Sequence, residues 1–381
     1  MDHANAIEKA AVLAAQVAPK AEAHDRAGSF CDDGVEALSK AGFMGLMVPK
    51  DAGGEGLGPK TFAAVLTTIA EADASLGMIY LMHVLGTNVV VSGRKSALRD
   101  KLLAEVVAGK HLSTLAFSEA GSRSHFWAPV SRAETRTGGS RLNAKKSWVT
   151  SAGRAQSYIV SSLSASAKTP VESNLYLVLA GTPGVTVAAA WDGMGLRANA
   201  SSPMGIEAVD VSDDARLTED GKGFDAMMGW VLPLFCLGSA CVGLGLARAA
   251  VAATTKHLKA SRFEHMGNVS LGEALPNLRA RLAQMQIETD GLASRIDDTV
   301  RHLESPGDLT MLRVLEVKAA GGEVATSVTS TAMRTCGGAA FSKHTSIERL
   351  FRDAHAGTVM APTVDVLHDF IGKALLGIPL F

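Results

Sequence analysis

Apolar residues recur along this chain with two different periods, and the change of period divides it into three blocks. From residue 1 to about 110 the spacing is helical. "MDHANAIEKAAVLAAQ" reads as an amphipathic helix. "DDGVEALSKAGFMGLMVP" has an Asp-rich start, apolar residues three and four apart, and a glycine stop. "TFAAVLTTIAEADASLGMIYLMHVLGTNVVVSG" and "SALRDKLLAEVVAGK" continue the pattern. From 111 to 217 turn residues separate short β-rich runs, "RAETRTGGSRLNAKKSWVTS", "SYIVSSLS", "NLYLVLA" and "VTVAAA", with Gly138-Gly139 as a hairpin signal. From 218 to 381 helical spacing returns, and it predicts helices over 224–262, 275–303, 308–338 and 363–376. The expected class is mainly α with a central β domain. A compact β domain between two helical blocks leaves clefts at its borders, where a large cofactor fits.

Composition adds bounds. At 381 residues the chain is long enough for two or three domains at roughly 150 residues each. It is 47% hydrophobic and 20% charged with a formal net charge of −1, which describes an ordinary globular protein without an electrostatic footprint for nucleic acid. Cys31, Cys236, Cys241 and Cys336 show no metal-ligand spacing and fit a reducing compartment. The N-terminus opens with an acid and does not read as a signal peptide, so a cytoplasmic location is expected. The uncharged run Gly229–Ala247, "GWVLPLFCLGSACVGLGLA", approaches membrane-span length. Pro233, the small residues and the charged helical continuation favour a helix buried in a bundle, with no membrane.

Three stretches carry the chemistry. "TLAFSEAGS" (114–122) is a strand entering a Ser/Gly-rich turn whose N–H groups can bind a phosphate or carbonyl oxygen. "LNAKKSWVTSAG" (142–153) is a turn and strand that ends on an aromatic, a β-branched residue and hydroxyls. "RTCGGAAFSKHTSIERLFRDA" (334–354) sets a glycine pair between two helices, where a backbone can approach a ligand closely. In this order, together with "GMGLRANASSPMGIEAVDV" (193–211), they resemble the acyl-CoA dehydrogenase superfamily over essentially the whole chain.

The resemblance implies an N-terminal helical domain, a middle β-barrel, a C-terminal four-helix bundle and FAD bound between them. It also implies a homodimer or homotetramer in which a neighbouring subunit completes each FAD site. Trp148 matches the aromatic packed on the flavin ring, and Thr150 the hydroxyl beside it. Phe117 and Ser118 match its pyrimidine edge, and Ser122 and Thr363 match positions near the diphosphate. Gly338 matches the glycine through which a partner backbone reaches the cofactor. Arg334 stands where the family has a glutamine, and Ala340 replaces the last glycine of its "GGxG". Arg262, or Lys259, takes the role of a phosphate-facing cation in a longer loop.

The substrate side departs from the family. Aligned on "RDA", the catalytic glutamate falls at Ala361, and the alternative glutamate position falls at Pro233. Neither side chain accepts a proton. The family's CoA-holding Asp-x-x-Arg reads "VLPL" (231–234), and an apolar surface cannot pair with phosphate or ribose. His83 and His355 are the remaining candidates for a base. His83 sits on an apolar helix, where a satisfied core histidine is the simpler reading. Glu264 and His265 fall in the variable loop as solvated residues. Glu119, Glu348 and Arg349 match structural ion-pair positions.

The expected function is FAD-dependent oxidation of an acyl thioester, on CoA or a carrier protein, at a non-standard active site. Electrons would leave to an electron-acceptor flavoprotein or O2. Two rivals remain open. One is a flavin monooxygenase or desulfinase on this fold, which needs no α-proton abstraction. The other is a non-catalytic subunit paired with a glutamate-bearing homologue.

Overall fold

The computed structural model describes residues 1–123 and 125–380. Its first block packs the helices His3–Val17, Ala21–Ala27, Asp32–Ala41, Pro59–Ala72, Ala74–Ser92 and Ala97–Val107. Asp73 explains one boundary: its carboxylate accepts from the N–H groups of Ser75 and Leu76 and caps the helix Ala74–Ser92. That helix is apolar all round, and fifteen of its residues are buried, as a helix in the middle of a core must be.

The β domain consists of two sheets. In the first, Ser113–Ala116 runs parallel to Ser157–Leu163, which pairs antiparallel with Ser173–Leu179. In the second, the order is Glu134–Arg136, Gly139–Val149, Ser202–Ser212 and Val185–Val187. Single bridges such as Glu119 to Lys146 and Tyr176 to Arg216 connect the two into a barrel-like body. The hairpin sits one residue earlier than Gly138-Gly139 suggests. Arg136 pairs with Gly139, so the turn is Thr137-Gly138, and Gly138 takes the positive φ of 74°.

The C-terminal bundle is built from Leu232–Ala260, Pro276–Glu304, Thr310–Cys336 and Val364–Leu376, with the short helix Ile347–Ala354 between the last two. The uncharged run from Gly229 lies inside this bundle. Among the described residues two helices, Ala74–Ser92 and Gly223–Ala260, are long and apolar enough to cross a membrane, yet 83% and 78% of their most apolar windows are buried within the protein. The small residues have a packing reason. A Cβ on Gly243 would stand 2.6 Å from the Gly321 carbonyl oxygen, so the two longest-packed helices touch backbone to backbone there.

The start of this helix is wider than an α-helix. Pro233 has no N–H to return to the carbonyl four residues back. The chain forms a π turn over Met227–Val231, and the Leu232 N–H reaches the Met227 oxygen. Beside it the Trp230 carbonyl oxygen accepts from Asn88 Nδ2 at 2.7 Å, which ties this turn to the helix Ala74–Ser92. Single π turns of this kind occur often at functional sites, and this one lies against the cavity described next.

Candidate functional site

A cavity opens where the three blocks meet. The β domain contributes Leu115, Phe117, Ser118, Phe126, Ser147 and Trp148 to its wall, and the helices contribute Met82, Val231, Phe235 and Ala361. Four positions singled out in the sequence, or their immediate chain neighbours, therefore converge. Phe117, Ser118, Trp148 and Ala361 line the cavity, and Pro233 lies between two lining residues.

Local structure explains why Trp148 faces the opening. The pairing of Gly139–Val149 with Ser202–Ser212 slips between Lys146 and Val149, and Trp148 has a positive φ of 56°. Such a bulge re-aims a side chain out of the sheet. The indole is 67% exposed and meets Trp191 edge-on at 5.9 Å. One face is thus free to stack a planar ring. Two residues on, the Thr150 hydroxyl lies 3.2 Å from that of Ser201 inside the domain. Phe117 stacks on Phe126 at 6.3 Å with an interplanar angle of 8°.

The turn beside the cavity is held by a buried ion pair. Lys146 Nζ donates to Glu119 Oε1 at 2.6 Å and to the Ser161 carbonyl at 2.6 Å. Glu119 also accepts from the N–H groups of Val130 and Ser131. Burial works against the Glu119 charge, but Lys146 and these donors hold its carboxyl below its ordinary value. Ser122 closes the same turn, donating to the Glu119 carbonyl at 3.1 Å. Its hydroxyl is engaged there rather than presented outward.

The other predicted positions lie outside the cavity wall. Thr363 caps the last helix, accepting from the Val366 N–H. Arg262 is exposed and donates to the Asn268 carbonyl across the small hairpin Arg262–Phe263 with Val269–Ser270. Glu264 and His265 are exposed on that hairpin. Arg334 and Gly338 are exposed at the end of the bundle, and nothing stands within 4 Å of where a Gly338 Cβ would be. The ion pairs around Arg349 are structural. It donates to Glu22 at 2.8 Å, while Glu348 pairs with Arg352 rather than with its neighbour.

Neither histidine serves as a base in this arrangement. His83 is fully buried, its Nδ1 accepts from the Ser113 N–H at 3.1 Å and its Nε2 donates to the Met44 carbonyl at 2.9 Å. Burial pushes its pKa down to about 4. Both nitrogens are spent, so His83 is the satisfied core histidine that its apolar helix suggested, and its candidacy as a base is withdrawn. His355 ends the helix Ile347–Ala354 with its ring against Phe351 at 4.7 Å, and it is not part of the cavity wall. A third arrangement mimics a nucleophilic triad. Glu105, His111 and Ser157 are linked at 3.0 and 2.8 Å, but Ser157 is fully buried and its hydroxyl passes on to Ser113. It ties two strands and a helix together.

The sequence reading missed Lys318. Its ammonium is 1% exposed and donates to the carbonyls of Met360 at 3.1 Å and Pro362 at 2.7 Å, on either side of Ala361. It also lies 5.6 Å from the centre of the Phe235 ring. The signal was present: Lys318 falls four residues after Val314 and three before Gly321, on the buried stripe of its helix.

A β domain held between two helical blocks, with an aromatic-rimmed cavity at their junction, defines a three-part α/β/α architecture. Family models for the acyl-CoA dehydrogenase N-terminal, middle and C-terminal domains match residues 5–110, 114–209 and 221–376. The chain belongs to the acyl-CoA dehydrogenase family. It is 25% identical over 363 residues to an acyl-CoA dehydrogenase of Bacillus subtilis (strain 168), covering 95% of this chain and 94% of the relative. Among solved structures, butyryl-CoA dehydrogenase from Megasphaera elsdenii superposes with a TM-score of 0.91 at 23% identity, over 99% of this chain and 100% of that one. PigA with FAD and proline superposes with a TM-score of 0.89 at 19% identity, over 99% and 100%. At these identities the superpositions speak for the fold.

Proposed function

We propose that the chain is an FAD-dependent oxidoreductase whose reaction does not use a side-chain base in the cavity. The observation that carries this is the lining itself: among the described residues it has six apolar side chains beyond the Trp148 indole and Ala361, two serines, and no acid, histidine, lysine or arginine. Base-assisted α,β-dehydrogenation of an acyl thioester needs an acceptor within hydrogen-bond reach of the α-proton, and no lining side chain offers one. Oxygen insertion by a flavin monooxygenase on this fold needs no such acceptor, and it is the reaction type this cavity favours.

The residues fit a flavin. The freed face of Trp148 gives a planar ring a surface to stack on, and Ser118 and Ser147 place polar atoms in the same wall. FAD, when bound, supplies the two-electron redox centre. The chain's own residues then bind and orient: Phe117 and Phe126 exclude water on one side, and Val231 and Phe235 do so on the other. The solved relative bound to FAD supports the choice of cofactor. The acyl-thioester reading is favoured by the names of the relatives, and it would require a base from outside the lining, such as a ligand group or a glutamate-bearing partner.

An oligomer accompanies this proposal. Gly338 and the 83%-exposed Phe341 stand beyond the end of a bundle helix, and Leu375 and Leu376 are 69% and 75% exposed on the last one. Apolar side chains so exposed fit burial against another copy. The test of function is direct. Purified protein supplied with reduced flavin should consume O2 in a substrate-dependent way. A protein that releases no FAD and takes none up would contradict the proposal.

A further inference from the structure

Trp148 carries the stacking face of the cavity, yet its indole stands 67% exposed on a bulge. A side chain so placed can rotate, and a ligand that stacks on it must freeze that freedom. The structure supplies a brace. Trp191 meets the Trp148 ring at 5.9 Å with an interplanar angle of 80°, the edge-to-face arrangement that aromatic pairs favour.

Trp191 lies on residues 188–201, a run without helix or strand between Val185–Val187 and Ser202–Ser212. Connecting runs of this kind are mobile unless something ties them down. Here the ties are specific. Trp191 Nε1 donates to the Leu196 carbonyl at 3.0 Å, and the Leu196 N–H donates to Asp353 Oδ1 at 2.7 Å. Asp353 is 2% exposed on the helix Ile347–Ala354, with the Arg349 guanidinium 3.7 Å away. Beside it Arg352 Nη1 donates to the Met194 carbonyl at 2.8 Å, and its two terminal nitrogens reach the two carboxylate oxygens of Asp25 at 3.0 and 2.6 Å. Arg197 Nε donates to the Asp25 carbonyl at 2.9 Å. The run is pinned from the C-terminal helices and from the N-terminal block at once, and the ring it carries there is Trp191.

We propose that Trp191 is a positioning residue of the cofactor site: its contact holds the Trp148 indole in the stacking pose before any cofactor arrives, so that a flavin ring meets a preformed face. This rests on the reading of the cavity as a flavin site. The chain of contacts runs from Asp353 through the Leu196 peptide to the Trp191 ring, and from there to Trp148. Trp148 touches the planar ligand, whereas Trp191 acts through Trp148. Preorganisation of this kind raises affinity by removing the cost of ordering a side chain on binding. Trp191 is itself half-buried, so its removal opens little of the core.

The test reads FAD affinity by equilibrium dialysis and the state of Trp148 by fluorine NMR of the full chain labelled with fluorotryptophan. The Trp148 signal is identified by its loss in Trp148→Phe. Trp191→Leu should weaken FAD binding by about 2- to 10-fold, the size of an aromatic pair's contribution, and Trp191→Phe, which keeps a ring, should lose less. Added to Trp148→Ala, Trp191→Leu should cause no further loss, because its effect passes through Trp148. In cofactor-free protein the Trp148 signal should be displaced from that of free fluorotryptophan, and Trp191→Leu should return it toward the free position. A merely structural role gives neither the missing second loss nor this return. If Trp191→Leu does not fold, the cofactor-free wild type decides: a displaced Trp148 signal supports the proposal and a signal at the free position overturns it. Unchanged FAD affinity in Trp191→Leu, losses as large in Trp191→Phe, or additive losses in the double variant would each overturn it as well. A protein that takes up no FAD contradicts the flavin assignment alone, and the Trp148 signal then judges Trp191 by itself.

Discussion

The Lys146 ammonium and the Glu119 carboxylate meet at 2.6 Å with side-chain exposures of 0% and 2%. The pair joins the strand that carries Trp148 to the turn that follows Phe117 and Ser118, so one wall of the cavity depends on it. Removing one partner strands the other charge in the interior. Lys146→Met should therefore cost about 3–5 kcal/mol of stability, measured by urea unfolding. A loss below about 1 kcal/mol, the range of exposed pairs, would show that the pair is not holding the wall.

Trp148 tests cofactor retention separately from stability. Its ring is mostly exposed, so Trp148→Ala should change the unfolding midpoint little. The loss of a stacking face should weaken FAD binding by about 1–3 kcal/mol, by analogy with base stacking on aromatics. Equilibrium dialysis of the yellow protein against apo-protein measures this. Unchanged retention would remove Trp148 from the cofactor site.

His83 makes a prediction in pH. Its folded pKa is about 4 against an ordinary 6.5, so between these values the unfolded chain takes up a proton that the folded protein refuses. The contribution is fully present above about pH 6.5 and is lost as pH falls toward 4, on the order of 3 kcal/mol in total. Urea unfolding at pH 7.5 and 4.5 should show this loss, and His83→Gln should reduce it. An identical pH dependence in the variant would mean that other groups carry it.

Much of this arrangement was legible in the sequence. The three blocks follow from hydrophobic period alone, and the Trp148 strand and the Phe117 turn announce themselves by residue type and order. What was not legible depends on contacts between distant segments. Nothing near Pro233 in the sequence says that Asn88 will donate to the Trp230 carbonyl in the π turn. Phe126 and Phe235 read as ordinary core residues until the chain brings them to one cavity. The part Lys318 plays was not legible, because its partners are backbone carbonyls forty-two and forty-four residues away. Ser122 was placed near the diphosphate by resemblance alone, and its hydroxyl donates to the Glu119 carbonyl within the turn.

Assembly gives a further prediction. With Phe341, Leu375 and Leu376 exposed on the isolated chain, light scattering of the purified protein should report a dimer or tetramer. Replacing Phe341 and Leu376 by Asp should shift it toward monomer and lower FAD retention along with it. A monomer that holds FAD stoichiometrically would contradict a shared site.

The central claim is that this cavity contains no base. Anaerobic mixing of the yellow protein with butyryl- and octanoyl-CoA, followed at the flavin absorbance band, tests it most directly. General-base catalysis contributes about 10²–10⁴-fold, so the wild type should bleach very slowly or not at all, and Ala361→Glu should bleach faster on a thioester that binds. Rapid bleaching of the wild type without a partner protein would place a base in the site and contradict the account.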